Sequence, residues 1–288
     1  MSSLVYLNGE YLPLQEAKVP VTDRGFLFGD GVYEVIPCYN GRPFRLEHHL
    51  MRLAESLRAL GIKKPLSNEA WRGIIERLTL QRPGEEQSIY LQITRGNSGK
   101  RDPGVPRNLT PTVFAISQLV VYPDPATFNR GVTATTHDDS RWHHCNIKAI
   151  TLLANILLRK EAVDQGSADA ILVRDGHATE GATSNLFIVD RGVIITPPES
   201  DQLLPGVTRN LVLELAQAHG LPFREEEIPV ALLHHADEVW LTSSTREVMA
   251  VVTLDGKQVG NGAPGPIYQR IRNYYTDFKA ILQADTTT

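Results

Sequence analysis

The spacing of apolar residues changes several times along the chain, and each change marks an element. Val5-Tyr6-Leu7 and Tyr11-Leu12 flank Asn8-Gly9, a pair suited to a two-residue hairpin turn. Val32 to Tyr39 is β-rich and ends at a second turn, Asn40-Gly41. From Glu47 to Leu60 the period becomes helical, with Leu50, Leu53, Ala54, Leu57 and Leu60 on one face and Gly61 as the stop. Asn68 to Leu80 predicts a second helix, with Trp71, Ile74, Ile75 and Leu78 inward. Ser88 to Thr94 and Thr112 to Val120 read as strands. Helices set between strands predict α+β organisation with a largely antiparallel sheet.

Val121-Tyr122-Pro123-Asp124-Pro125 punctuates the pattern. Two prolines so close favour an extended connection, and a domain boundary is expected there. The second half carries strand patterns at Val132–Thr136, Ala170–Val173, Asn185–Val189, Val193–Ile195, Glu238–Thr242 and Val248–Leu254. Helices are expected at Ala149–Gln165, Thr208–Ala218 and Ile267–Leu282. Asp175-Gly176 and Asp255-Gly256 mark hairpin turns, and Thr286-Thr287-Thr288 reads as a frayed end.

Composition narrows the function classes. The 288 residues suffice for two cores, and a net charge of -4 without a basic run argues against nucleic acid or an anionic membrane as partner. Two cysteines, Cys38 and Cys145, make no disulfide framework, so a reducing compartment fits. No signal-peptide pattern opens the chain, and no apolar run approaches the roughly 18 residues of a membrane span. A cytoplasmic setting is expected. The histidine pairs His48-His49, His143-His144 and His234-His235 do not suggest a metal, because adjacent side chains point apart. Nothing resembles HExxH or CxxC, and Gly25 to Gly31 matches neither a P-loop nor a dinucleotide fingerprint.

Four local features could carry chemistry. Lys148 heads the apolar run Ala149-Ile150-Thr151-Leu152-Leu153-Ala154. Either it points to water from the first turn of a core helix, or it is desolvated and becomes a neutral, nucleophilic amine. A helix start would push its pKa down. Glu180, in Thr179-Glu180-Gly181-Ala182-Thr183-Ser184-Asn185, is either part of a solvated loop or a carboxylate held to pair with a ring nitrogen. Leu204-Pro205-Gly206-Val207-Thr208-Arg209 opens a helix and is either an ordinary cap or an anion site. Thr242-Ser243-Ser244-Thr245 is a hydroxyl cluster at a strand end, either a polar turn or a second set of anion donors.

Taken in order, these features resemble the fold-type IV pyridoxal-phosphate enzymes, and among them the D-amino acid (D-alanine) aminotransferases. The resemblance spans nearly the whole chain. It rests on Asp23-Arg24-Gly25, Phe28-Gly29-Asp30-Gly31-Val32-Tyr33-Glu34-Val35, Glu47-His48, Arg52-Leu53, Thr94-Arg95-Gly96, Arg141-Trp142, Asn146-Ile147-Lys148, Thr179-Glu180-Gly181, Ser184-Asn185, Gly206-Val207-Thr208-Arg209 and Thr242-Ser243-Ser244. It implies an α+β fold of two domains. Residues 1–120 would form a small N-terminal α/β sandwich, 121–130 a linker, and 131–288 a larger domain with a β-barrel-like core flanked by helices. It also implies a homodimer and an active site between the domains near the dimer interface.

The resemblance implies roles as well. Lys148 matches the lysine that holds pyridoxal 5′-phosphate (PLP) as a Schiff base and shuttles a proton. Glu180 matches the carboxylate at the pyridine nitrogen. Arg52, Val207, Thr208, Ser243 and Ser244 match the phosphate site, Thr183 and Leu204 line the cofactor, and Tyr33 matches a substrate-pocket tyrosine. One departure concerns the substrate carboxylate. The family often follows Thr-Arg-Gly with an arginine and, two residues later, a histidine; here those positions hold Lys100 and Asp102. Lysine lacks the bidentate fork, so Arg101 is the expected main contact, with Lys100 as steering charge and Arg24 as a third candidate. The family's architecture suggests that this loop reaches the site from the partner subunit. The expected activity is transfer of an amino group between a D-amino acid and a 2-oxo acid. The rivals of the same fold are a branched-chain L-amino acid aminotransferase, an (R)-amine transaminase and an aminodeoxychorismate lyase. A non-catalytic cofactor-binding protein is a further rival, against which Lys148 and Glu180 argue.

Overall fold

The computed structural model describes residues 3–121 and 124–284. Tyr122 and Pro123 of the punctuating segment and the terminal Thr286-Thr287-Thr288 lie outside the described residues. The chain divides into two compact units. The first comprises residues 1–120, 147–152 and 282–288, and the second 121–146 and 153–281.

The first unit is a sheet with helices on one face. Its strands are β1 (Leu4–Leu7), β2 (Glu10–Pro13), β3 (Gly31–Tyr39), β4 (Arg42–Pro43), β5 (Gln87–Thr94) and β6 (Thr112–Leu119), in the order β2-β1-β6-β5-β3-β4. All the pairs are antiparallel. Its helices are α1 (Arg24–Phe28), α2 (Leu46–Ala59) and α3 (Asn68–Thr79). Leu46, Leu50, Leu53 and Leu57 of α2 and Trp71, Ile74, Ile75 and Leu78 of α3 pack over Val32, Ile36, Ile89, Leu91, Ile93, Val113 and Ala115. Each fully buried Leu or Ile contributes about 1.5–3 kcal/mol of transfer free energy, which makes this layer the unit's main stabiliser.

Residues 147–150 protect the open edge of β3. Tyr33 N donates to Lys148 O at 3.0 Å, Ile150 N donates to Gly31 O at 3.1 Å, and Ala149 bridges Val32. This corrects the expected helix from Ala149. The backbone groups of 148–150 are engaged with β3, so α5 (Leu153–Asp164) begins only at Leu153. Lys148 therefore sits in a tight turn against the edge of β3, with Ala149 N donating to Ile147 O at 2.8 Å, and does not stand at a helix start.

The second unit contains a closed barrel. Its elements are α4 (Pro125–Arg130), β7 (Val132–Asp138), α5, β8 (Asp169–Arg174), β9 (His177–Gly181), β10 (Asn185–Asp190), β11 (Val193–Thr196), α6 (Val207–Ala218), β12 (Phe223–Glu225), β13 (Ile228–Pro229), α7 (Val230–His235), β14 (Glu238–Ser243), β15 (Glu247–Leu254), β16 (Lys257–Gln258) and most of α8 (Pro266–Ala284). Where an extended connection was expected after Pro123, Asp124 accepts from Ala126 N and caps the short α4, with Pro125 suited to the first helical position. Strands run β10-β14-β15-β7-β8-β9, and the pair Asn185–Glu180 joins β9 back to β10. The ring has six strands and no open edge, with Leu186, Ile188, Val239, Leu241, Ile171, Val251 and Ala134 filling it. Among the described residues no helix is long and apolar enough to cross a membrane.

Two glycines separate the cost of a backbone angle from the cost of space. Gly96 has φ 109°, and an added Cβ would lie 2.0 Å from Thr110 O; Gly41 has φ 76° and nothing within 4 Å. Gly41→Ala should cost about 1 kcal/mol of unfolding free energy from φ alone. Gly96→Ala should cost clearly more, because backbone must also move. Urea titration of both variants checks the order, and equal losses would contradict it.

Candidate active site

Each unit presents a buried carboxylate, and the candidate residues gather around the two. In the first unit the carboxylate is Glu34. β3 alternates, and Val32, Glu34 and Ile36 share its buried face. A lone acid among apolar neighbours must be paired or it would not stay charged. α2 supplies the partners. Beside its leucine stripe, His49, Arg52 and Ser56 form a buried polar one at helical spacing. Arg52 Nε donates to Glu34 Oε1 at 2.7 Å and Nη2 donates to Oε2 at 2.8 Å, while His49 Nδ1 lies 2.8 Å from Oε2. Burial alone would raise Glu34's pKa, but Arg52 and His49 outweigh it and hold the carboxyl well below the usual range. Burial lowers the His49 pKa against the opposing pull of Glu34, which favours the neutral ring donating through Nδ1.

Lys148 stands at the same end of this unit. Its N donates to Ser56 Oγ at 3.1 Å, and its Nζ lies 4.3 Å from the centroid of the Tyr33 ring. That distance suits a cation–π contact. Tyr33 in turn packs on Tyr90, 5.7 Å between centroids. Tyr33 and Glu34 are neighbours on β3, Ser56 and Arg52 lie on one face of α2, and the Lys148 backbone bonds both Tyr33 and Ser56. The loop candidates sit apart from them. Lys100 is exposed and pairs with Asp102 at 3.0 Å. Exposed Arg101 lies over Phe28, 5.6 Å from its centroid. Arg24 is buried and bonded to Asp30 and to the 102–104 carbonyls.

In the second unit the carboxylate is Glu180, and it lies on a strand rather than in the loop expected. The pairing of β8 with β9 shifts by one residue between Val173–Ala178 and Ile171–Gly181. This bulge re-aims the side chain. A regular strand would put Glu180 on the same face as Ala178, inside the barrel; the shift puts it outside. There Glu180, Asn185 and Thr242 are register partners across β9, β10 and β14, so their side chains share a face. Gly206, the N-cap of α6, packs on them so closely that a Cβ would lie 1.9 Å from Asn185 Oδ1.

Glu180 accepts three hydrogen bonds. Arg141 Nη1 donates to Oε1 at 2.5 Å; Asn185 Nδ2 and Leu204 N each donate to Oε2 at 3.1 Å. Arg141 is itself held by Asp139, at 2.8 Å and 2.9 Å. Burial pushes the Glu180 carboxyl up to about 7, against the pull of Arg141. A carboxylate offers four lone-pair positions, so one acceptor position stays open, on Oε1. Val207 and Thr208 open α6, whose N-cap Gly206 makes no side-chain capping bond. The Thr242 hydroxyl is buried without a hydrogen-bond partner among the described residues. A buried acid with one acceptor left, a helix start and an unsatisfied hydroxyl together fit a ring-nitrogen cofactor that also carries an anionic group.

Thr183 stands outside Glu180's bonding set. Its hydroxyl accepts from Arg246 Nη2 at 3.1 Å, in a cluster where Arg246 pairs with Asp169 at 2.6 Å. Ser243 Oγ accepts from Arg246 N at 3.3 Å, and Ser244 is half-buried. Sequence reasoning gave no role to Glu34, His49, Asn185, Asp139 or Arg141. Glu34 was detectable as the acid interrupting an inward apolar alternation. Asp139 and Arg141 had only their spacing as a signal.

Residues 31–254 match the family described as Amino-transferase class IV. The chain belongs to that family. A D-alanine aminotransferase of Bacillus licheniformis is 38% identical over 268 residues, which cover 93% of this chain and 94% of the relative. The fold is similar to a branched-chain amino acid aminotransferase of Escherichia coli, with a TM-score of 0.90 and 26% identity over 100% of this chain and 98% of that one. It is also similar to a T.th. branched-chain amino acid aminotransferase complexed with N-(5′-phosphopyridoxyl)-L-glutamate, with a TM-score of 0.90 and 25% identity over 99% of this chain and 96% of that one. As a class IV aminotransferase, the chain takes an amino donor and a 2-oxo acid acceptor.

The Glu34–Arg52 fork has a measurable consequence. Arg52→Met leaves a charge buried without its partner and should cost about 3–5 kcal/mol. The combined Glu34→Gln/Arg52→Met variant should lose clearly less. Denaturant unfolding of both decides, and equal losses would show that the pairing is not what holds Arg52.

Proposed function

We propose that this class IV aminotransferase binds pyridoxal 5′-phosphate and moves an amino group between a D-amino acid, such as D-alanine, and pyruvate or 2-oxoglutarate. The observation that carries the reading is the single acceptor position left on Glu180 by Arg141, Asn185 and Leu204. A protonated pyridine nitrogen is the donor that fits it. When bound, the cofactor supplies an electron sink for breaking bonds at the substrate α-carbon.

The chain's own residues do the remaining work. Lys148 provides the amine for covalent attachment and then carries the proton to and from the substrate carbon. The Tyr33 ring beside its Nζ limits where that amine can go. Glu180 keeps the ring nitrogen protonated, because a cation at Oε1 favours the ionised carboxylate. Arg52 meets the phosphate with charge, oriented by Glu34, while Val207, Thr208, Ser243 and Ser244 offer neutral donors. A charge-assisted bond is roughly twice as strong as a neutral one, so Arg52 dominates retention. Arg101 meets the substrate carboxylate, and Leu204 packs beside the ring.

The likeness in sequence to D-alanine aminotransferases supports the D-amino acid choice, and the structural neighbours named as branched-chain enzymes keep L-amino acids as the second reading. A homodimer is part of the proposal. It is supported by Leu153, Ile156, Leu157 and Val163, which leave an apolar surface exposed on α5. A cytoplasmic location is supported by the two cysteines, Cys38 and Cys145, both buried and unpaired.

Two assays test the reading. D-Alanine with 2-oxoglutarate should give turnover and L-leucine should not; the reverse would establish the second reading. Borohydride should fix the cofactor on Lys148, and Lys148→Ala should keep its circular dichroism but lose transamination. Turnover retained in that variant would contradict the assignment.

A further inference from the structure

We infer that Arg24 is a positioning residue for substrate selectivity: its buried guanidinium holds the 98–104 loop in the conformation that presents Arg101. The inference rests on the proposal that Arg101 meets the substrate carboxylate.

Apart from Arg24, the loop is held by short-range contacts: Ser98 Oγ donates to Lys100 O at 2.8 Å, Gly99 N to Asn97 Oδ1 at 3.0 Å and Gly104 N to Asp102 Oδ1 at 2.9 Å. The ion pair of Lys100 with Asp102 is exposed and so contributes little to the loop. Its base is fixed. Asp23 caps α1 through Gly25 N and bridges Asn97, Arg24 N donates to Gly96 O at 3.0 Å, and Ser98 N donates to Thr22 O at 3.3 Å. Beyond Ser98 the chain leaves this zipper.

Arg24 bridges the gap. Its Nε donates to Asp30 Oδ2 at 2.7 Å, which anchors the guanidinium to the sheet side. Asp30 also accepts from Arg95 Nε at 2.8 Å, so the anchor is shared by two arginines. The other end of the fork faces the loop. Nη1 donates to Asp102 O at 2.8 Å and to Gly104 O at 3.0 Å, and Nη2 donates to Pro103 O at 3.3 Å. Three consecutive carbonyls thus converge on one planar cation. Arg24 is 3% exposed, so the donor side of these bonds is shielded, although Pro103 and Gly104 are themselves exposed. Hydrogen bonds to a charged group are stronger than neutral ones, and three of them outweigh the loop's one exposed ion pair.

Phe28, the last residue of α1, links the two arginines. The Phe28 ring lies 4.9 Å from the Arg24 Cζ and 5.6 Å from the Arg101 Cζ, so both arginines contact one aromatic ring. With four of its five N–H donors spent on Asp30 and the loop, Arg24 has no fork left for a substrate carboxylate. Among the described residues Arg101 has no acidic partner, and its charge remains available. A lysine at position 24 would keep the charge beside Asp30 but lack the planar fork needed for three carbonyls.

The experiment uses the holoenzyme with Arg24→Met, Arg24→Lys and Arg101→Ala. Amide hydrogen exchange read by mass spectrometry reports the loop, and steady-state kinetics with D-alanine report selectivity. In Arg24→Met, peptides spanning 98–105 should exchange on the order of tenfold faster while β5 and β6 are unchanged, and the KM for D-alanine should rise on the order of tenfold with a much smaller fall in kcat. Arg24→Lys should lie between, and serves if Arg24→Met does not fold. A merely unfolded fraction would lower kcat and leave KM alone, so the split separates positioning from loss of structure. Unchanged loop exchange in the variant that folds overturns the inference. So does faster exchange without a change in KM where Arg101→Ala does raise it. If Arg101→Ala leaves KM unaltered, the carboxylate reading itself is wrong and the selectivity role falls with it.

Discussion

One extra residue in β9 governs the second unit. Without it Glu180 would face the barrel interior among aliphatic side chains, where an ionised acid has no partner. With it the carboxylate joins Asn185 at the seam that closes the ring. Closure and chemistry therefore depend on the same pair. The seam gives Asn185 its place, Asn185 and Leu204 N pin one oxygen, and Arg141, fixed by Asp139, pins the other. What is left is one directed acceptor on a carboxyl whose burial keeps it near neutrality until a cation arrives.

The first unit solves the opposite problem with the same residue type. Glu34 is as deeply buried as Glu180, yet its carboxyl is held well below the ordinary range, because an arginine fork and a histidine both face it. Each carboxylate accepts three hydrogen bonds, but Glu34 takes two of them from one arginine fork and one from a histidine, whereas Glu180 takes one from an arginine and two from neutral amides. Burial alone does not say which role an acid has; the donors around it do. The segment at Lys148 is likewise fixed by what faces it: its backbone completes the edge of β3.

Much of this was legible in the sequence. Periodicity located α2, α3, α6 and α8 and strands β5 to β8, β10, β11, β14 and β15 to within a few residues, because each has one apolar face on a core; it missed β9, β12 and β13. The Asn-Gly and Asp-Gly pairs marked four hairpin turns, each with positive φ. The candidate site residues were named through resemblance, and their settings were not. The bulge at Thr179-Glu180 follows from register with β8, which no local pattern encodes. The apolar run after Lys148 reads as helix because its first residues are hydrophobic, but those residues pair with a strand more than a hundred positions away. Arg24 looked like a spare cation, since the three carbonyls that engage it carry no sequence signature.

Everything proposed for Glu180 comes down to one proton, the one that a cofactor ring nitrogen would keep while donating it as a hydrogen bond to the open acceptor. Nitrogen NMR of the holoenzyme with isotopically labelled pyridoxal 5′-phosphate measures that proton directly. The ring nitrogen should stay protonated through neutral and mildly alkaline pH in the native protein, and should lose its proton in Glu180→Gln. An unprotonated nitrogen in the native protein, or one equally protonated in the variant, would contradict the account.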